Sequence, residues 1–147
     1  MKLSKLLLAS AVIFYVIYDL ISTIAAFNYL GTFQYEKSSL LKAAFDIAGV
    51  PGFVTIKMVL SMIALLLAYM LVDRFKQFQG VGMGLLVGAS LAGAFVGTSN
   101  LNIILNGSSI WIGGIDSGTI AAVIIVGCSL LGFILSPQDR SVKIPAL

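Results

Sequence analysis

Asp19 is the residue of this chain with the clearest chemical potential. It stands inside an apolar stretch over residues 6–29, nine positions before Asn28. At the α-helical rise this puts its carboxyl roughly 13 Å below the end of the stretch. A carboxylate at such depth costs at least ~2.5–3.5 kcal/mol if it faces lipid, so it must face protein, be protonated or be paired. Tyr15, Asp19, Ser22, Thr23 and Ala26 share one side of a helix here. A second apolar stretch, 51–72, carries Lys57 six positions past Pro51, with Ser61, Ala64 and Ala68 completing a small and polar stripe. The two helices run in opposite directions, so both charges reach a similar depth and a buried ion pair is expected. A third stretch ends in Ser99, Asn100, Leu101 and Asn102. Asn100 continues the small stripe Gly93, Gly97 toward the same region, and Glu36 can cover it from the first loop.

Two readings compete for the cluster of Asp19, Thr23, Glu36, Lys57, Ser61, Asn100 and Asn102. As glue, interhelical polar contacts fix helix register at about 0.6 kcal/mol each, up to ~2. As a site, they make a proton- or cation-linked centre open to one face of the membrane. A third chemistry, acid–base work by Asp19 with Glu36 on a lipid, would need carboxyls in different environments. The chain has no nucleophile–base motif, no DxxD-type metal site and no basic pocket for a diphosphate to accompany them. With no His and a single Cys128, a histidine base, a haem-ligating His, a Cys/His zinc site and a disulfide within one chain are excluded. No catalytic residue, metal or cofactor is expected. Gly82-x-Gly84 follows no strand and opens a membrane helix, so it is not a nucleotide motif.

These residues need elements to hold them, and the composition dictates which. The chain is 59% hydrophobic and 10% charged, more apolar surface than a water-soluble domain of this size could cover. Apolar stretches at about 6–29, 51–72, 81–105 and 117–135 each match or approach the ~18–20 residues that cross a bilayer as a helix. Backbone amides in lipid must be satisfied within each segment. The expected fold is therefore all-α, a four-helix transmembrane bundle forming a single domain over 1–147. The start of the chain is read as an uncleaved first span, because the apolar run before Ala9-Ser10-Ala11 is too short for a signal h-region.

Charge sets the expected topology. Lys2 and Lys5, Arg74 and Lys76, and Arg140 and Lys143 fall on one side of four crossings. The positive-inside rule places both termini in the cytoplasm, with the protein in the cytoplasmic membrane and Trp111 at the outer interface. Asn106-Gly107-Ser108 matches a glycosylation sequon but reads better as a helix end and turn. In the first outer loop, residues 38–48 carry Ser38 as an N-cap and apolar residues at Leu40, Leu41, Ala44, Phe45 and Ala48. A short amphipathic helix on the outer surface is expected there, broken by Gly49-Val50-Pro51-Gly52.

The glycines point to packing. Gly80, Gly84 and Gly88 form one small-xxx-small series on span three, and Ala89, Gly93 and Gly97 form another. Span four adds Gly118, Ala121, Ala122, Cys128, Ser129 and Gly132. Two small faces on one helix predict neighbours on two sides, within the chain or between chains.

The order Asp19, Thr23, Gly31, Glu36, Lys57 resembles a family of small, uncharacterised four-span membrane proteins from archaea and bacteria. Its members follow the Glu with Asn-Pro, where this chain has Ser38-Ser39. The resemblance covers about forty residues; it implies a shared four-span fold and treats Asp19, Glu36 and Lys57 as one constellation, but implies no activity. Separately, one acidic residue in the first of four spans resembles the layout of small multidrug exporters, which are shorter and lack the long first loop. The leading expectation is a non-catalytic subunit or scaffold of a larger membrane assembly, with lipid and other membrane subunits or further copies as partners and no nucleic acid. A small proton- or cation-coupled transporter or channel using Asp19 is the alternative.

Overall fold

The computed structural model describes residues 2–32 and 36–136. Among them, four helices are long and apolar enough to cross a membrane: Leu3–Leu30, Ser39–Arg74, Lys76–Asn106 and Ser117–Leu135. The first span is composite. It runs as α1 (Leu3–Ala11), a π-helical segment (Val12–Tyr18) and α2 (Asp19–Leu30). The others are α3 (Ser39–Arg74), α4 (Gln79–Asn106, entered through a 3₁₀ turn at Lys76–Phe78) and α5 (Ser117–Leu135). Of the basic residues used above for topology, Arg140 and Lys143 lie outside the described residues.

The helix ends follow local chemistry. α2 and α4 each stop on a left-handed glycine, Gly31 (φ +70°) and Gly107 (φ +72°), whose N–H returns to a carbonyl four residues back. Any other residue would be strained there. α3 opens at Ser38, whose Oγ accepts from the Leu41 N–H at 3.3 Å. It is not one straight rod. Ala48 (φ −133°) and Gly49 (φ +62°) leave helical geometry, and Pro51 sits in the first turn beyond this kink. The loop between α4 and α5 is a small β-hairpin that the sequence reading lacks: Trp111–Ile112 (β1) pairs antiparallel with Ile115–Asp116 (β2). Its two turn residues, Gly113 and Gly114, both have positive φ, as the favoured two-residue hairpin turn requires.

α4 is the hub, packing against α1, the π segment, α2, α3 and α5. Its glycines face three directions rather than the two expected. A Cβ on Gly80, Gly84 or Gly88 would strike the backbone of α5 at Gly132, Cys128 and Ile125. One on Gly82 would strike Ala68 and Val72 of α3. On Gly93 it would meet the Tyr15 backbone, and on Gly97 the Tyr18 ring. Ala11, Val16, Leu65, Ala68, Val72, Leu86 and Ala89 form the apolar core. Phe53, Ile103 and Ser99 are buried nearer the hairpin end.

Candidate functional site

The site starts from an irregularity in the first span. The π segment ends on Asp19, whose N–H reaches back five residues to the Phe14 carbonyl. Such wide turns cost helix regularity and recur at functional sites. This one is accommodated because Gly93 has no side chain: a Cβ there would lie 2.5 Å from both the Tyr15 nitrogen and the Phe14 oxygen. The close approach brings span one onto α4, so that Asn100, nearly two turns beyond Gly93, faces Asp19.

Asp19 and Lys57 form the expected ion pair, with Lys57 Nζ 3.0 Å from Asp19 Oδ2 and side chains only 13% and 11% exposed. Lys57 Nζ also donates to Thr23 Oγ1 at 3.0 Å and lies 5.5 Å from the centre of the Phe53 ring. Thr23 donates in turn to the Asp19 backbone carbonyl at 2.7 Å. Asn100 Nδ2 donates to Thr23 Oγ1 at 3.0 Å and to Ser22 Oγ at 3.1 Å, and lies 3.4 Å from Asp19 Oδ1. Asp19 Oδ2 is thus held closely and Oδ1 only at long range. Among the described residues, no buried side-chain nitrogen or oxygen lacks a partner.

This polar group forms the floor of a cavity of about 380 Å³. Ala26, Phe27 and Leu30 of α2 make one wall, Ala121, Ala122 and Ile125 of α5 another, with Val96 and Ile103 of α4 behind. Glu36, Lys37, Ser117 and Gly118 line it as well. At this mouth Lys37 Nζ is paired with Asp116 Oδ1 at 2.6 Å. Asp116 is the N-cap of α5, accepting from the Gly118 and Thr119 N–H groups and from the Thr119 hydroxyl. Lys37 beside it, then Thr119, hold its carboxyl well below the usual carboxylate range.

The structure therefore gathers Asp19, Thr23, Lys57 and Asn100 on the floor and puts Glu36 at the mouth, where its Oε1 accepts from the Ser38 N–H at 2.9 Å. It does not gather the rest. Ser61 is half-buried on α3 and does not line the cavity. Asn102 turns to the loop, donating to the Ser108 carbonyl at 2.8 Å and accepting from Asn106 at 2.6 Å. Of the helix-packing glycines, Gly84, Gly88, Gly93, Gly97 and Gly132 lie at helix contacts, whereas Gly118 lies beside Asp116 and Lys37 at the mouth. Ala64, expected on the inner stripe of span two, is exposed. The Lys37–Asp116 pair was missed, although Asp116 before Ser117-Gly118-Thr119 has the form of an N-cap.

No protein-family model, curated protein or solved structure matches this chain. The class that fold and site define is a membrane-spanning helical protein with a cavity ending on a buried ion pair.

Proposed function

We propose that this chain is a small, non-enzymatic membrane transporter that takes its substrate into the cavity between α2 and α5, with Asp19 as the binding carboxylate. The observation that carries this reading is the cavity itself: apolar walls, charged groups at the mouth, and the ion pair at the bottom. Sites for small molecules combine apolar walls with a few convergent polar groups in this way. The reading places the hairpin end outside the cell and both termini in the cytoplasm of a cell-membrane protein, as the lysines and arginines favour. It also places the helical stretch before the Gly49 kink on the outer surface. Leu40 and Ile47 are exposed there, while Phe45 packs edge-on against Phe27 at 5.3 Å. The family likeness of Asp19, Thr23, Glu36 and Lys57 is carried forward as part of the same proposal. The test is flux in proteoliposomes under an imposed pH gradient. Asp19→Asn should abolish pH-driven uptake of substrate cations, and equal flux through wild type and variant would remove the carboxylate from the mechanism.

A second reading is a subunit or scaffold of a larger membrane assembly, whose partners would pack on the outward faces of α3 and α5. Leu60, Leu66, Leu67, Leu130, Leu131 and Ile134 are all exposed on them. The glycine stripes no longer argue for it, since each is filled from within the chain. Native extraction distinguishes the two: a subunit migrates with partners, a transporter as one chain or as copies of itself.

A further inference from the structure

We infer that the Asp19–Lys57 pair at the cavity floor binds a small zwitterion, an ammonium and a carboxylate on one apolar body, which lies antiparallel on the pair without separating it. The inference rests on the transport reading and narrows its substrate cations to those that also carry a carboxylate.

The floor presents both signs side by side, with Lys57 Nζ and Asp19 Oδ2 3.0 Å apart. Neither group is used up by the other. A carboxylate offers two oxygens with about four lone-pair sites. Asp19 Oδ2 takes the ammonium, whereas Oδ1 is met only by Thr23 and Asn100 at 3.4 Å. An ammonium has three N–H donors. Asp19 Oδ2 and Thr23 Oγ1 take two of those on Lys57, which leaves one. Asp19 and Lys57 both line the cavity. One underused acceptor therefore sits beside one unused donor.

Such a pair is a fixed dipole, and it selects by the arrangement of charge. A simple cation at Asp19 Oδ1 is drawn to the carboxylate, but the adjacent Lys57 ammonium offsets part of that attraction. It also leaves one uncompensated charge among apolar walls, which is costly. A simple anion at Lys57 meets the mirror-image penalty. A zwitterion puts its ammonium on Oδ1 and its carboxylate on the remaining N–H, gains at both ends and keeps the floor neutral. An α-amino carboxylate separates its charges by a single carbon, which suits two groups already in contact. The walls receive the rest of the molecule. Ala26, Phe27, Leu30, Ile103 and Ala121 offer apolar surface. The volume of about 380 Å³ is near the low end of the ~300–1,000 Å³ usual for small-molecule pockets, so the body is small.

The test uses the full chain in detergent or nanodiscs with three probes of one shape at neutral pH. L-leucine is the zwitterion, isopentylammonium is the same body without the carboxylate, and isocaproate is the same body without the ammonium. Calorimetry gives the affinities. Wild type should bind leucine about tenfold or more tightly than either of the others, as for the loss of one charge-assisted hydrogen bond. Lys57→Met should bind isopentylammonium more tightly than leucine, and Asp19→Leu should prefer isocaproate. Ala122→Phe adds bulk from an exposed position of the cavity wall without touching the floor, and should weaken leucine about tenfold. The wild-type comparison needs no variant and decides the matter if a floor variant fails to fold. Isopentylammonium binding wild type as tightly as leucine overturns the zwitterion class and leaves the transport reading standing. Isocaproate binding as tightly, or leucine binding unchanged in Ala122→Phe, overturns it as well. If no probe binds wild type, both readings fall.

Discussion

Separating the two halves of the ion pair gives the sharpest check on the site. Consider a double-mutant cycle of Lys57→Met and Asp19→Leu. Removing Lys57 alone leaves a carboxylate that is 11% exposed with only the 3.4 Å contacts from Thr23 and Asn100. Breaking a buried pair in this way costs about 3–5 kcal/mol, and the cost of an aspartate in the membrane interior sets a floor of about 2.5–3.5 kcal/mol. Removing Asp19 alone is milder. The ammonium keeps Thr23 Oγ1 at 3.0 Å and the Phe53 ring, and its stem can carry it toward the hairpin end. About 2 kcal/mol is expected, the worth of one charge-assisted hydrogen bond. In the double variant no charge is left. Thr23 retains the Asp19 backbone carbonyl and Asn100 retains Ser22 and Thr23, so the neighbours stay satisfied. Stability should return to within about 1 kcal/mol of wild type, since an apolar pair of similar volume often replaces a buried ion pair without loss. The coupling between the two positions is then about 4–6 kcal/mol. It is measured by reversible unfolding in mixed micelles with increasing SDS, followed by far-ultraviolet circular dichroism. If the two losses simply add, within the ~0.5 kcal/mol typical of independent sites, the charges do not act as a pair and the proposed floor is wrong.

Three further outcomes follow from other parts of the molecule. Gly84→Ala forces a Cβ into the Cys128 backbone whereas Gly127→Ala meets nothing within 4 Å; the helix-propensity gain cancels between them, leaving an overpacking penalty of about 1–3 kcal/mol on Gly84→Ala alone, and equal thermal stability of the two would refute the α4–α5 contact. Asn100→Leu removes the donor shared by Ser22 and Thr23 and should cost about 1–3 kcal/mol in the same SDS titration; a neutral result would show that Asn100 does not reach span one. Asp116 has its carboxyl lowered by Lys37 first and Thr119 second, so its stabilising effect is complete above the unfolded value near about 3.9 and is lost only as pH falls through the lower folded value. Lys37→Met should move its titration back up toward the ordinary range in a carboxyl carbon-13 experiment, and an unmoved titration would exclude the pair at the mouth.

Much of this was legible in the sequence because lipid imposes blunt rules. Four apolar stretches must be helices, and an aspartate and a lysine at equal depth must meet or be wasted, so Asp19, Thr23 and Lys57 could be assigned to one place from spacing alone. Position along a helix was harder. Asn100 and Asn102 lie two residues apart and cannot share a face, and only the packing of α4 decided that Asn100 turns inward while Asn102 serves the loop. Ser61 lies one turn from Lys57, but the cavity stops above it. The π segment left no mark in the composition of Val12–Tyr18. It lies where Gly93 of α4 approaches the backbone of Phe14 and Tyr15, and a single-helix periodicity contains no information about that contact. The cavity was invisible for the same reason, because it is the space left when α5 packs on α4 rather than on α2.

The glycines of α4 and the charge on Asp19 are therefore parts of one arrangement. Gly93 and Gly97 let the first span lie against α4 closely enough for Asn100 to touch Thr23 and Ser22, and that contact fixes the rotation of the helix bearing Asp19. Gly80, Gly84 and Gly88 draw α5 to another face of the same helix. Two close approaches on different sides of α4 hold α2 and α5 apart at the hairpin end, and the cavity is the gap between them. It follows that enlarging Gly93 should disturb the ion pair without touching either charge. Gly93→Ala pushes against the Tyr15 backbone, which cannot yield as a flexible side chain would. The wide turn ending at Asp19 must then shift, and the Asp19–Lys57 coupling of about 4–6 kcal/mol should fall in a Gly93→Ala background. If it stays unchanged, the charges find each other independently of the helix packing, and the glycines serve stability alone.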